Sequence, residues 1–228
     1  MLTVIVPCLN EAEGLQRLEE GIYNALKEDF EVLAIDDGST DGTRAGLDEV
    51  AKRRNNFRVF HHDANQGIGA SLKTGIREAQ GEWLVFLDAD LTFAPEKIAA
   101  LIKKQLETGA DCVSGSPLLG GMPGIPFVRR LPSLLMNVFY RGLFDQSLTS
   151  FTPMFRLYRT ADLREIRINS DGFEVSVEIL VRLLRAGKKV AEIPVPLLVR
   201  QTGTSKLQRW RELRAHGALT WRLLTQAR

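Results

Sequence analysis

Asp88 and Asp90 stand with one small residue, Ala89, between them, at the end of the apolar run Leu84-Val85-Phe86-Leu87. Two carboxylates held this close repel, and a hard divalent cation shared with a diphosphate is the usual relief. Gly81 and Pro95 bound the segment, and four consecutive apolar residues read as a strand buried on both faces, as in a parallel sheet. Residues two apart on a strand point to the same side, which puts both acids together at its carboxyl end. That end is where open α/β sheets bind ligands. The plainer reading is a strand-end turn in which Asp88 caps the next element.

Four further groups have side chains suited to a nucleotide. Pro7-Cys8-Leu9-Asn10-Glu11 is a rigid turn with a carboxylate at a helix start. Asp36-Asp37-Gly38-Ser39-Thr40-Asp41-Gly42 offers adjacent acids able to accept hydrogen bonds from a base or ribose. It reads equally as a turn with a helix cap, since Asp41-Gly42-Thr43 alone would serve that purpose. Asn65-Gln66-Gly67-Ile68-Gly69-Ala70 lacks the third glycine of a dinucleotide fingerprint and does not follow the first strand. It is better read as a close-packed helix start. Arg200-Gln201-Thr202-Gly203-Thr204-Ser205-Lys206 carries two cations and several hydroxyls, fit to grip phosphate oxygens or to lie as a solvated basic loop.

The elements that must position these groups alternate. Strands are expected at 2–6, 31–35, 57–61, 83–87 and 111–114, and helices at 11–27, with Asn10 as N-cap, and at 43–54, 69–79 and 95–107. This is the pattern of a doubly wound parallel sheet. The rhythm then breaks at the glycine- and proline-rich loop 120–126. An apolar, basic segment 130–144 follows, then a strand at 154–158, a helix at 173–186, a strand at 190–193 and a basic terminal helix.

The 228 residues suit one large α/β domain, and 44% hydrophobic with 25% charged residues is ordinary for a globular protein. A net charge of +2 argues against a nucleic-acid partner by bulk charge. From Arg200 onward, however, Lys206, Arg209, Arg211, Arg214, Arg222 and Arg228 face a single acid, Glu212. Cys8 and Cys112 lie in apolar strand-like contexts, so two buried thiols are expected rather than a disulfide, which fits a reducing cytoplasm. The chain opens on a strand without a signal-peptide pattern, and no apolar run approaches the roughly twenty residues of a spanning helix.

Taken in order, the motifs resemble the family-2 glycosyltransferases with the GT-A fold, especially the branch of dolichyl-phosphate mannose synthase and the polyprenyl-phosphate sugar synthases. The resemblance runs from Val4 to Lys206. It is carried by Ile5-Val6-Pro7 with Asn10-Glu11, Ile35-Asp36-Asp37-Gly38-Ser39-Thr40-Asp41-Gly42-Thr43, Asn65-Gln66-Gly67 and Leu87-Asp88-Ala89-Asp90. Phe155-Arg156-Leu157-Tyr158, Glu192-Ile193-Pro194-Val195, and Arg200 with Gly203 and Ser205-Lys206 complete it. It implies a mostly parallel sheet flanked by helices. Residues 1–116 would form the nucleotide-sugar half, 117–206 the acceptor-side half of the same domain, and 207–228 a basic amphipathic helix. Pro7, Leu9, Glu11, Ile35 and Asp37 would line the base and ribose pocket, and Asp88 and Ala89 would contact the nucleotide sugar. Asp90 would ligate Mg²⁺ or Mn²⁺, and Arg200 and Lys206 would hold the diphosphate. Asp88, Asp90, Arg200 and Lys206 would thus carry an inverting hexosyl transfer (EC 2.4.1.-) from GDP-mannose or a UDP-hexose. The sequence departs from the branch at Leu9, where tyrosine is common, at Thr92 in place of glutamine, at Pro117 in place of arginine, and ahead of Phe155.

A phosphate monoester acceptor, its second pKa near about 6, needs cations and not a general base. Arg129, Ser133, Asn137 and Arg141 recur at four-residue spacing on one helical face, with Leu134, Leu135, Val138 and Phe139 alongside. This resembles the interfacial helix of the branch, in which Arg129 and Ser133 would grip a polyprenyl or dolichyl phosphate; the alternative is an amphipathic helix packed on the sheet. A hydroxyl acceptor remains the competing reading, with Asp171, Glu174 and Glu178 as candidate bases. A nucleotidyltransferase or a non-catalytic nucleotide-binding module is a further class. The former lacks its glycine-rich basic signature after the first strand, and the latter has no use for Asp88, Asp90, Arg200 and Lys206 together. The terminal helix places Trp210, Leu213, Gly217, Trp221 and Leu224 near one face. It is expected either to lie on the inner membrane surface, leaving the enzyme cytoplasmic and peripheral, or to pack on the domain or a partner.

Overall fold

The computed structural model describes residues 1–27, 29–200 and 209–225, with side chains from 214 onward in the last segment. Strands β1 (Leu2–Cys8), β2 (Phe30–Asp36), β3 (Phe57–His61) and β4 (Trp83–Phe86) alternate with helices α1 (Leu15–Ala25), α2 (Thr43–Arg53) and α3 (Ile68–Glu78). Helix α4 (Ile98–Thr108) leads to β5 (Cys112–Ser116), the short α5 (Pro117–Gly120) and the long α6 (Phe127–Leu143). Strand β6 (Arg156–Arg159), α7 (Thr160–Glu165), α8 (Val175–Arg185), β7 (Val190–Pro194) and α9 (Arg209–Thr225) follow. They form one seven-stranded sheet in the order β3-β2-β1-β4-β6-β5-β7.

The period of two along the central strands divides two cores. Val4, Val6, Val32, Ala34, Val85 and Leu87 pack against Leu18, Ile22, Leu47, Ile98 and Leu101 on one face. Ile5, Leu33, Ile35, Leu84 and Phe86 meet Leu72, Ile76, Val175, Ile179 and Leu183 on the other. A fully buried aliphatic side chain contributes about 1.5–3 kcal/mol. Burial on both faces therefore outweighs the β-propensity scale, which spans only about 1 kcal/mol. Cys8 and Cys112 are both buried and are not joined in a disulfide.

Four expectations need correction. Asn10 does not cap a helix: it sits at φ 49°, and a single 3₁₀ turn, Ala12–Gly14, separates it from α1. Strand β4 ends at Phe86, so Asp88 and Asp90 lie in a turn and are not brought together by strand alternation. Strand β6 starts two residues later than expected and enters the sheet antiparallel to both β4 and β5. The segment after β5 thereby completes the sheet begun by the first four strands. Finally, α9 turns Leu219 and Leu223, which are not among the residues read as its apolar face, into a third core with Tyr140, Phe151, Val177 and Leu180. Gly217, Trp221 and Leu224 are exposed; the side chains of Trp210 and Leu213 lie outside the described residues. Among the described residues no helix is long and apolar enough to cross a membrane.

Candidate active site

Parallel strands β1, β2 and β4 end at one edge of the sheet, and their loops are fastened to each other there. The Asn10 amide donates to Ser39 Oγ at 2.9 Å, and Asn10 Oδ1 accepts from the Thr40 amide at 2.8 Å. The Glu11 amide donates to Thr43 Oγ1 at 2.8 Å. Asn10 is tied across 30 residues of chain to the second loop, which is why it holds a left-handed backbone.

The acids of the second loop make hydrogen bonds within the protein. Asp36 is fully buried; burial pushes its carboxyl up, but hydrogen bonds from Ser39, His61 and Arg44 hold it below the usual range. Asp37 accepts the amides of Gln66 and Gly67 at 3.0 and 2.9 Å and meets His62 Nδ1 at 2.7 Å. His62 Nε2 reaches Thr74 Oγ1 at 3.0 Å. Asp37, expected at a base or ribose, thus anchors the Asn65-Gln66-Gly67 loop. Ile35 is fully buried in the core beneath α3. Pro7 and Leu9 keep partial exposure. Gly67 (φ 96°) and Gly69 are required by close approach: a Cβ on either would lie 2.4 or 2.3 Å from the backbone of Asp171 or Ser170. The close-packed helix start read from sequence is what the structure shows.

Past β4 the chain turns sharply. The Leu91 amide donates to the Asp88 carbonyl at 3.0 Å, and Leu91 is left-handed at φ 53°. Asp90 Oδ1 accepts the Thr92 amide at 3.0 Å, so Thr92 contributes its backbone where a longer side chain was the family expectation. Burial pushes the Asp88 carboxyl up to about 7, the Asp90 charge adds to the rise, Arg200 opposes it and Glu11 reinforces it. Such a carboxyl is short of positive charge.

Arg200 comes from the far end of the chain to this turn. Its Nη2 donates to both oxygens of Glu11, at 2.6 and 2.8 Å, and its Nη1 lies 3.5 Å from Asp90 Oδ2. The structure therefore brings Glu11, Asp88, Asp90 and Arg200 together; Lys206 lies outside the described residues. Among the described residues no cluster of three or more acidic, histidine or cysteine side chains is arranged to hold a metal by itself. The donor set of Asp88 and Asp90 fits a hard divalent cation that takes its remaining oxygens from a diphosphate.

On the acceptor side, the helical face expected from four-residue spacing rolls into the protein. Arg129 is exposed, but Ser133 Oγ pairs with Thr152 Oγ1 at 3.1 Å, and buried Asn137 accepts the Phe151 amide at 2.6 Å. Arg141 donates to the Gln146 carbonyl at 3.2 Å. The resemblance included Glu192 and Arg156 without a role, and the structure makes them the scaffold behind these residues. Glu192 accepts the Thr149 and Ser150 amides at 2.6 and 3.0 Å, and Ser116 Oγ meets the hydroxyls of both. Arg156, fully buried, donates to Ser114 Oγ at 2.9 Å and to the carbonyls of Phe151 and Ser176 at 2.7 and 2.9 Å. An arginine flanked by Phe155 and Leu157 in a strand was the available signal. Of the three acids offered as bases, Glu178 is consumed by the Asn169 and Ser170 amides and Arg182. Exposed Asp171 pairs with Lys73 at 2.5 Å, and Glu174 is buried with an Oε2 that accepts no hydrogen bond.

A parallel sheet with one reversed strand, and an acid turn at its ligand edge opposed by an arginine, define a GT-A glycosyltransferase. The sequence matches Glycosyl transferase family 2 over residues 3–167, and the chain belongs to that family. It is 32% identical over 211 residues to an undecaprenyl-phosphate mannosyltransferase of Micrococcus luteus, covering 89% of this chain and 86% of the relative. It is 30% identical over 218 residues to a polyprenol monophosphomannose synthase of Mycolicibacterium smegmatis, covering 90% and 80%. The fold is similar to that of glucosyl-3-phosphoglycerate synthase from Mycobacterium tuberculosis, crystallised with Mn²⁺, UDP and phosphoglyceric acid. That superposition has a TM-score of 0.70 at 19% identity and covers 98% of this chain and 77% of the other.

Proposed function

We propose that this glycosyltransferase moves a hexose, mannose being the favoured one, from a nucleoside-diphosphate sugar to a polyprenyl phosphate, inverting the anomeric centre. The observation that carries the reading is the meeting of Asp88, Asp90 and Arg200 at the carboxyl edge of β1 and β4. Asp90 and Asp88 would hold Mg²⁺ or Mn²⁺, and the cation would neutralise the leaving diphosphate. Arg200, joined by Lys206, would take the diphosphate from the other side, stabilising charge that grows as the glycosidic bond breaks. The two undecaprenyl- and polyprenol-directed relatives support the acceptor class. A phosphate acceptor needs no general base, and two of the three acids offered as bases, Glu178 and Asp171, are already paired. Arg129 and Ser133 would receive the lipid phosphate.

Helix α6 supplies a place for the lipid tail. Phe127, Leu135 and Val138 are 65%, 61% and 66% exposed, and Leu131 and Phe139 lie on the same outward side. An exposed apolar helix face beside an arginine fits the headgroup boundary of an anionic membrane. On this reading residues 1–116 serve the donor, 117–206 form the acceptor side of the same domain and 207–228 are a basic amphipathic helix, and the enzyme works peripherally at the cytoplasmic face. The test is transfer from labelled GDP-mannose and UDP-glucose to a short polyprenyl phosphate with and without Mn²⁺. A metal-dependent, β-linked lipid product from an α-linked donor is expected. Transfer only to sugar hydroxyls, or retention of configuration, would refute the respective part.

A further inference from the structure

Arg200 stands against the Asp90 oxygen that accepts no amide from the turn. Oδ1 is occupied by the Thr92 amide, and Oδ2 is the oxygen 3.5 Å from Arg200 Nη1. The guanidinium is held there from behind, by the two short bonds of Nη2 to Glu11. The backbone leading to it is also fixed: Leu198 donates to the Thr92 carbonyl at 2.8 Å and Leu197 to the Gly121 carbonyl at 3.0 Å. A divalent cation on Oδ2 would sit within about 2.0–2.6 Å of that oxygen, in direct conflict with a guanidinium already beside it. A diphosphate, in contrast, offers the guanidinium paired oxygens that it can take bidentately in place of the Nη2 contacts to Glu11.

We infer that Glu11 is a positioning residue that holds Arg200 against Asp90, so that Arg200 and a divalent cation compete for Asp90 Oδ2 until a nucleoside diphosphate draws the arginine away. The inference rests on the reading of Asp90 as a metal ligand. It couples the two ligands: the diphosphate makes room for the cation and shares it, and the cation alone binds weakly.

The sign of one substitution separates this from ordinary electrostatics. Removing a carboxylate beside a cation site should weaken cation binding, whereas Glu11→Gln, by releasing Arg200, should tighten it. Titration of the full chain with MnCl₂ alone, followed by the electron paramagnetic resonance of free Mn²⁺, reads this directly. Glu11→Gln is expected to bind Mn²⁺ at least about fivefold more tightly than the wild type, the lower end of coupling between linked sites. GDP or UDP should then raise Mn²⁺ affinity by a smaller factor in the variant. Arg200→Lys keeps the charge but not the fork, so it carries the same prediction should Glu11→Gln fail to fold. Mn²⁺ affinity equal to or below that of the wild type in the folded variants would overturn the inference alone. A wild type that binds no Mn²⁺ with or without GDP or UDP would overturn the metal reading, and this inference with it.

Discussion

Residues 1–116, proposed to serve the donor, and the residues after them, proposed to serve the acceptor, hold their loops by different means. In the donor half, Asn10, Ser39, Thr43, Asp37 and the Gln66-Gly67 amides join three loops through side-chain-to-backbone bonds that span roughly 30 residues each. Nearly all of it is fixed by short polar side chains at strand ends, over cores that the sheet has already closed. In the acceptor half the corresponding work falls to a buried guanidinium, Arg156, a carboxylate, Glu192, and a cluster of hydroxyls. That half also leaves a helix face of large apolar side chains in solvent. The first region ties its loops to one another, whereas the second presents an exposed apolar helix face.

The comparison breaks most sharply at Asp90. Asp90→Ala should lower transfer by about 10²–10³-fold or more, the scale for a missing transition-state charge contact, while the lost turn hydrogen bond costs only about 0.5–1.5 kcal/mol of stability. Comparable turnover would remove the donor half from the chemistry. Arg156→Met strands the Phe151 and Ser176 carbonyls in the core, each unsatisfied group costing about 1–3 kcal/mol. Urea denaturation should show a loss of about 3 kcal/mol that Arg156→Lys does not restore; a smaller loss would mean that the acceptor scaffold does not depend on it. Gly38→Ala tests the donor side in the same currency. Gly38 sits at φ 71°, and a Cβ there would lie 2.4 Å from the Ala64 carbonyl carbon. A cost of about 1–3 kcal/mol is expected from such strain, together with weaker nucleotide binding.

Two smaller effects sharpen the contrast. Glu178 is buried, which alone would raise its carboxyl, but bonds from Ser170 and Arg182 hold it below the usual value. Its contribution is therefore present above the unfolded value of 4.5 and lost as pH falls through the lower folded one. Glu178→Gln should flatten acid unfolding over that window, and an identical acid limb would show that the Asn169–Ser170 loop does not rely on its charge. Leu135→Ser with Val138→Ser should change stability by no more than about 0.5 kcal/mol, as surface substitutions do. Sedimentation with anionic vesicles should nonetheless fall clearly, and unchanged sedimentation would return the exposed face of α6 to the role of a bare surface.

The amino-acid sequence by itself determined the alternation of buried strands and amphipathic helices, the position of Asp88 and Asp90 at a strand end, and the glycines at Gly67 and Gly69. These are local facts: a run of apolar residues, a turn chemistry, a period of two or of 3.6. Only the tertiary structure decided that β6 enters the sheet reversed between β4 and β5, because four residues with buried neighbours carry no signal of which strands they will pair with. Likewise the period of α6 marked Asn137 as polar, but the Phe151 amide is what draws it inward. The resemblance supplied Arg200, yet not that Glu11, 189 residues away in sequence, would hold it. Contacts of that span are set by how whole layers pack, and pattern along the chain does not encode which distant partner a side chain will meet.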